Sequence, residues 1–351
     1  MLTVMETLPS RLLTLDAHEL YMQLDGPTLI HLDGVRKPAL FVSVLLHGNE
    51  VTGWQALRGL LLAYVGKSLP RALSVFIGNI EAARHGRRYL DYQPDYNRVW
   101  KLQADHEMTP EHAMMQQVVA AMSERGVFAS IDVHNNTGLN PHYACVNTLD
   151  ARALHLARMF SRTVVYFTQP DSVQSMAFAR LCPAITIECG RPGQPYGQQH
   201  ARELLDACLH LSELPQRPLA EGDIDLFHTM AVAKMPAHLT LGFGDDDCDV
   251  NFVADIDHLN FRELPAGTAL AKIKHRQAVW VDVRDAHGAD VSQRYFHISD
   301  DELRTALPVM PAMLSKSAEA IRQDCLCYLM ERYPLETDSV ARGSAAQSKP
   351  G

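Results

Sequence analysis

Two histidines and a glutamate stand where predicted strands end, and their types suit a divalent metal ion. The apolar run Ala39–Leu46 is followed by His47-Gly48-Asn49-Glu50, and a second apolar run ends in His134. At a turn between a strand and a helix, a spacing of three lets His47 and Glu50 reach one point at the carboxyl edge of the sheet, where open α/β sheets bind ligands. Two histidines and one carboxylate are the protein ligands of a catalytic zinc, which keeps a fourth position for water. We therefore predict one Zn²⁺ per chain on His47, Glu50 and His134, although nickel or cobalt would fit the same residues.

Two further carboxylates belong to the same predicted strand ends. Asp132 lies two residues before His134 and so points to the same side of its strand. We predict that it accepts the imidazole N–H that faces away from the metal. The apolar run Ala184–Ile187 ends in Glu188, where burial should perturb the carboxyl pKa. Glu188 is thus placed to take a proton from a metal-activated water and to pass it to a leaving amine.

Arginines are concentrated between the two metal-binding segments. Arg84, Arg87 and Arg88 fall within five positions, and Arg98 follows soon after. In a cleft, an arginine binds a carboxylate through two charge-assisted hydrogen bonds, or polarises a carbonyl beside a metal. For Arg84 and Arg87 we favour the simpler interpretation of a solvated basic loop.

Strands that alternate with helices must position these side chains. Apolar runs and amphipathic stretches alternate through the first two thirds of the chain, which is typical of a mostly parallel sheet covered on both faces. The predicted strands are Ala39–Leu46, Ser74–Ile80, Ala129–His134, Thr163–Thr168 and Ala184–Glu188; the predicted helices are Val51–Val65, Glu111–Arg125, Ala151–Phe160 and Ala201–Leu211.

The pattern changes after a proline-bearing connector that begins at Leu214. We predict a catalytic α/β domain over residues 1–214 and a β-rich domain over 223–299, because short extended runs separated by glycine turns occupy the second range. Residues 300–333 suggest a helical segment, and residues 335–351 are polar, small and predicted to be disordered.

Composition and charge exclude several classes of protein. The net charge of −9 over 351 residues, without a basic stripe, argues against a nucleic-acid surface. No apolar run is long enough to cross a membrane, and the N-terminus lacks the pattern of a signal peptide. Seven scattered cysteines suggest reduced thiols in the cytoplasm. Whether copies of the chain form a homo-oligomer is left open.

These segments, in this order, resemble the succinylglutamate desuccinylase/aspartoacylase family of the zinc carboxypeptidase superfamily. The matching motifs are His47-Gly48-Asn49-Glu50, the stretch Asn79–Arg98, Asp132–Gly138 and Ile187–Gly190. The resemblance implies a zinc-carboxypeptidase-like fold: a mixed, mostly parallel sheet with helices on both faces and a smaller β-rich C-terminal domain. It also implies zinc on the three residues above and Glu188 as base. It further implies Arg88 near the scissile carbonyl and Asn97 with Arg98 on a substrate carboxylate.

The chain departs from the family pattern in three places. The stretch from Arg88 to Asn97 is two residues longer than in aspartoacylases. Where those enzymes carry a substrate-binding arginine, ten residues before the base, this chain has Phe178, and the nearest arginine is Arg180. A second substrate carboxylate thus lacks its usual partner, which counts against N-acetylaspartate. For the family's C-terminal tyrosine the only candidate is Tyr295.

The resulting hypothesis is a zinc-dependent amidohydrolase, or deacylase, that cleaves an N-acyl amino acid or a similar small amide. The first alternative is a metallocarboxypeptidase acting on peptides or modified protein tails, which would use the same chemistry. The second is a non-catalytic, metal-dependent binding protein of the same fold, which would have no need of Glu188.

Overall fold

The computed structural model describes residues 1–103, 107–244, 247–274 and 280–335, so the predicted disordered tail lies outside the described residues apart from Leu335. The strands are β1 (Thr3–Met5), β2 (Thr28–Leu32), β3 (Gly34–Val44), β4 (Leu69–Ile77), β5 (Val127–His134), β6 (Tyr143–Val146), β7 (Thr163–Tyr166), β8 (Ala184–Glu188), β9 (Asp225–Lys234), β10 (Leu241–Phe243), β11 (Val250–Phe252), β12 (Ala269–Ile273), β13 (Asp282–Asp285), β14 (Phe296–Ser299), β15 (Glu302–Thr305), β16 (Met310–Ala312) and β17 (Cys327–Arg332). The α-helices are α1 (Thr52–Ala63), α2 (Ile80–Arg84), α3 (Pro110–Arg125), α4 (Ala151–Phe160), α5 (Gln174–Phe178), α6 (Pro195–His210), α7 (Ser292–Tyr295) and α8 (Ala318–Gln323). Short 3-10 helices span Ser10–Thr14, Ala17–Met22 and Ile256–Leu259. Within the described ranges, no helix has both the length and the apolar character that a membrane span requires.

Twelve strands form one large mixed sheet. Its order is β1-β2-β4-β3-β5-β8-β6-β7-β9-β17-β16, and β13 also pairs with β9. The central strands β4, β3, β5 and β8 are parallel, whereas β2 runs antiparallel to β4 and β6 runs antiparallel to β8. All five predicted strands of the first two thirds lie in this sheet, and the predicted fold class is confirmed.

Alternating side chains of the central strands enter two different hydrophobic cores. In β3, Leu40 and Val42 belong to the core beneath α1, α4 and α6, whereas Phe41 belongs to the core on the other face. There Phe41 stacks on Phe178 of α5 at 4.3 Å and lies in one cluster with Met115 of α3. The two-residue period of a strand thus explains why helices cover both faces, as predicted.

A second, smaller sheet follows in the C-terminal third. Five strands are ordered β10-β11-β12-β15-β14, and a separate hydrophobic cluster packs around them. The predicted β-rich C-terminal region is therefore present. The boundaries of the predicted domains remain a prediction. Strands β9 and β13 fall in residues 223–299, yet they pair within the large sheet and not within the smaller one.

The predicted helical segment over residues 300–333 is wrong. These residues form the strands β15, β16 and β17. The six-residue α8 is the only helix that the structure describes among them. Asp300 and Asp301 both have positive φ, 52° and 58°, and form the tight turn that joins β14 to β15. Such turns usually carry glycine at the second position, so this aspartate pair gave no clear signal. Antiparallel pairing of β17 with β9 and β16 then returns the chain to the large sheet.

Candidate metal centre and active site

Three neighbouring parallel strands bring the predicted site residues to one edge of the large sheet. Strand β5 lies between β3 and β8, and His134 at its end is directly opposite Glu188 at the end of β8. Strand β3 ends at Val44, and the chain then turns so that His47 comes in front of the same edge. Since parallel strands end on the same side, this arrangement follows from the sheet itself.

The turn after β3 depends on a close approach between backbones. A Cβ added to Gly48 would lie 2.2 Å from the backbone nitrogen of Ala83 in α2, so only glycine fits there. The N–H of Gly48 also donates to the carbonyl oxygen of Arg88, 3.0 Å away. The glycine therefore holds the segment of His47 against the segment that supplies Arg88.

His47, Glu50 and His134 form a buried cluster whose ligand atoms lie within 4.8 Å of one another. The two carboxylate oxygens of Glu50 face one imidazole each: Oε1 lies 2.8 Å from Nδ1 of His47, and Oε2 lies 2.7 Å from Nδ1 of His134. Burial tends to raise the pKa of Glu50, but the two histidines bring it well below its ordinary value. Among the described residues, no other group of three histidine, cysteine, aspartate or glutamate side chains meets the same distances.

A second carboxylate holds the outer nitrogen of each histidine. Nε2 of His134 lies 2.8 Å from Asp132, which also accepts a hydrogen bond from Ser43 at 2.7 Å. Nε2 of His47 lies 2.9 Å from Asp95, a partner that the sequence analysis did not identify. Both Nδ1 atoms therefore face the common point beside Glu50. This donor set of two imidazole nitrogens and one carboxylate, with carboxylates behind the rings, fits a divalent transition-metal ion.

Glu188 lies beside this cluster and lines the same cleft. Burial raises its pKa to about 8, and the carboxylates of Glu50 and Asp132 add to the rise, while His134 opposes it. The side-chain amide of Asn136 is 3.4 Å from Oε2. A carboxyl group with such a pKa exchanges protons readily near neutral pH.

Asp95 binds two of the three guanidinium nitrogens of Arg88. Its Nε and Nη2 lie 3.2 and 2.9 Å from Oδ2 of Asp95. Its Nη1 is 3.8 Å from Oε1 of Glu50 and donates no hydrogen bond to any residue that the structure describes. The free N–H groups of Nη1 are therefore available in the cleft next to the metal cluster.

Asn97 and Arg98 are both in the cleft, but each already has protein partners. The amide of Asn97 contacts Nε2 of His134 at 3.2 Å and accepts a hydrogen bond from the backbone of Gln174. Nη2 of Arg98 lies 2.9 Å from Oδ1 of Asp324. The resemblance had implied a substrate carboxylate at this position, whereas the structure places an internal carboxylate there.

The cleft extends from the metal cluster across the surface of the large sheet. Its wall beyond the cluster is mostly apolar, formed by Tyr143, Cys145, Val165, Phe167, Pro170, Val173, Ala312, Met313, Tyr328 and Met330. Sequence reasoning missed Asp95, Asp324 and Tyr328. For the first, the only signal was the place of the run Asp95–Arg98 in the arginine-rich stretch. The other two had none, because they come from the segment wrongly predicted as helical.

Three residues discussed for substrate binding lie elsewhere. Phe178 is fully buried between Phe41 and Trp100, and Arg180 is exposed, so neither contributes a charge to the cleft. Tyr295 is buried in the core of the smaller sheet. Tyr328 of β17, by contrast, lines the cleft.

The chain is similar to known proteins in both sequence and fold. The family model of the succinylglutamate desuccinylase/aspartoacylase catalytic domain matches residues 36–214, which is more than half of the chain. The succinylglutamate desuccinylase of Burkholderia orbicola strain MC0-3 is 27% identical over 268 residues, which are 68% of this chain and 73% of the relative. Among solved structures, the succinylglutamate desuccinylase of Chromobacterium violaceum has a TM-score of 0.57 at 18% identity and covers 88% of this chain and 89% of its own. Murine aminoacylase 3 has a TM-score of 0.53 at 16% identity, covering 86% and 97%. With the family model spanning all three predicted metal ligands and Glu188, the chain belongs to the succinylglutamate desuccinylase/aspartoacylase family.

Proposed function

We propose that the chain is a zinc-dependent amidohydrolase that removes the acyl group from an N-acyl amino acid or a similar small amide. One observation carries the proposal: a cluster of two imidazoles and a carboxylate opens into the same cleft as a carboxyl group with a pKa of about 8. The related proteins are named for acyl-amide cleavage, as desuccinylases and an aminoacylase, which supports this reaction class.

His47, Glu50 and His134 would hold one Zn²⁺ per chain. When bound, the ion would lower the pKa of a water molecule and polarise the carbonyl of the scissile amide. Asp95 and Asp132 fix the ring orientations and keep both Nδ1 atoms directed at the same point.

Glu188 and Arg88 would carry the remaining chemistry. Glu188 accepts a proton from the attacking water and returns it to the departing amine, for which a pKa close to neutrality is suited. The free Nη1 of Arg88 donates to the carbonyl oxygen as negative charge develops there. Asn97, which lies next to His134, borders the substrate together with Arg98.

The names of the related proteins favour small substrates over peptides, because they are desuccinylases and an aminoacylase. Five residues of the C-terminal segment also line the cleft: Ala312, Met313, Asp324, Tyr328 and Met330. Three of them lie on β16 and β17, which are strands of the large sheet. We further propose that the protein works in the cytoplasm, because its six buried cysteines are thiols outside any disulfide.

A metal analysis combined with a substrate panel tests the proposal. The purified chain should contain one zinc per chain, lose activity on chelation and regain it when zinc is added back. N-acyl amino acids, N-acyl amines and peptides of increasing length should show turnover that falls with length. Zinc content without hydrolysis of any amide would favour a binding protein, and activity that rises with peptide length would favour a carboxypeptidase.

A further inference from the structure

A carboxylate from the C-terminal segment lies on the arginine that borders the substrate cleft. Asp324 directly follows α8, and its Oδ1 is 2.9 Å from Nη2 of Arg98. Its Oδ2 is 3.8 Å from Nη2 of Arg88. The side chain of Asp324 is 19% exposed and that of Arg98 29%, so both face the cleft from a partly desolvated position. Asp324 therefore occupies the place that a substrate carboxylate would need.

The other arginine of the cleft is engaged as well. Arg88 donates two hydrogen bonds to Asp95, and only its Nη1, beside Glu50, is left over. Among the described residues that line the cleft, no lysine and no third arginine occurs. A free carboxylate on the substrate would thus meet no unpaired arginine fork, and it would lie next to the negative charge of Asp324.

Apart from the metal cluster, Arg88, Arg98, Asp324 and Glu188, the residues that line the cleft are uncharged. They include the apolar side chains of Val165, Phe167 and Met330. Glu188 lines the same cleft, and the leaving nitrogen must come within its reach to receive a proton. The substituent of the leaving amine therefore occupies the apolar space.

We propose that Asp324 selects against substrates with a carboxylate beside the leaving nitrogen, an inference that rests on the proposed function. The substrates of this site are then N-acyl derivatives of amines that carry an apolar group and no free carboxylate. Such selection works by repulsion and by saturation of Arg98, which together disfavour the wrong ligand. It separates this chain from a site built for N-acyl amino acids, although the reaction at the scissile amide is the same.

A matched pair of substrates tests the proposal. N-acetyl-leucine and N-acetyl-leucinamide have the same acyl group and the same apolar side chain and differ only in the carboxylate. We expect the wild-type chain to show the higher kcat/KM for release of leucinamide. Asp324→Asn should shift the ratio of the two kcat/KM values toward N-acetyl-leucine by at least about tenfold, because Arg98 is then free to bind a carboxylate.

Two further variants separate a role in selection from a general effect on structure. Asp324→Glu keeps the negative charge near Arg98 and should retain the wild-type preference. Glu319→Gln removes an exposed carboxylate of α8 that does not itself line the cleft, and it should leave the ratio unchanged. An equal shift in Glu319→Gln, or no shift in Asp324→Asn, would overturn the role of Asp324.

A binding measurement keeps this proposal distinguishable from the proposed function. Calorimetry with leucine and leucinamide on the full-length, metal-free chain needs no turnover. We expect leucinamide to bind the wild type more tightly than leucine does, and Asp324→Asn to gain leucine binding. Hydrolysis of N-acetyl-leucine at least as fast as that of the amide would refute the selection and leave the amidohydrolase intact. If neither compound is hydrolysed, the binding data decide: an Asp324→Asn variant that gains no affinity for leucine refutes the selection. If Asp324→Asn does not fold, the test is whether the wild type binds leucinamide more tightly than leucine.

Discussion

Glu188→Gln should abolish turnover and, in the metal-free protein, increase stability. The carboxyl group would move protons in both halves of the reaction, and each proton transfer by a positioned group is worth on the order of 10²–10⁴ in rate. We therefore expect kcat to fall by at least about 10³. Glu188 is not part of the cluster of His47, Glu50 and His134, so the zinc content should not change.

The effect on stability follows from the raised pKa. In the folded chain the pKa of Glu188 is about 8, against an ordinary value of 4.5. A group with a raised folded-state pKa stabilises fully below its unfolded pKa, and that contribution is lost as the pH rises through the folded pKa. Between pH 4.5 and pH 7 the folded chain therefore loses about 3 kcal/mol of stability, at 1.36 kcal/mol per pH unit. This value is an upper limit, because the side chain of Glu188 borders the cleft. Glutamine carries no charge, so the variant avoids this loss.

Urea unfolding of both metal-stripped proteins between pH 5 and pH 8 measures this difference. The variant should be little different from the wild type at pH 5 and more stable by a growing margin up to pH 8. Glu203→Gln on α6 removes an exposed carboxylate that contacts Gln199, and serves as the control without such a trend. A variant that keeps a tenth of the wild-type kcat would refute the proton-transfer role, and a difference independent of pH would refute the burial argument.

Three further changes test the parts around the metal cluster. Asp132→Asn weakens the acceptor behind His134 and should lower zinc affinity by about 10–100-fold, as measured by competition with a chelator. Arg88→Lys cannot keep both hydrogen bonds to Asp95 and the free Nη1, so kcat should fall by about 10²-fold while zinc content, measured by mass spectrometry, is unchanged. Gly48→Ala places a methyl group 2.2 Å from the backbone at α2, and we expect a loss of about 1–3 kcal/mol in the free energy of unfolding together with reduced zinc content.

The residues around the proposed metal were predictable because they depend on local sequence and a single rule of topology. Apolar runs identified β3, β5 and β8, and parallel strands must end at one edge of a sheet. Each of these runs stops at or just before a polar side chain, so His47, His134 and Glu188 could be placed together without coordinates. Asp132 followed from the two-residue period of β5.

The wall of the cleft was not predictable by the same reasoning. Strand β17 pairs with β9, about a hundred positions earlier in the chain, and no local pattern encodes such a partner. The strand therefore resembled a helix in the sequence, and Asp324 and Tyr328 had no assigned place. Asp95 was not predictable for a different reason: it lies among positively charged residues, and no spacing marks it as the partner of both Arg88 and His47.

This difference between the two parts of the site bears on how specificity arises on this fold. The groups proposed for bond cleavage stand at adjacent strand ends, where sheet register fixes their spacing, so a change there would disturb the metal cluster itself. Asp324 is held by α8 and β17, outside that register, and reaches Arg98 across 226 positions of sequence. A substitution at position 324 changes the charge offered to the substrate while His47, Glu50, His134 and Glu188 stay in place. Substrate choice can therefore change independently of the proposed chemistry, and the C-terminal segment is where differences between relatives with different substrates should be sought.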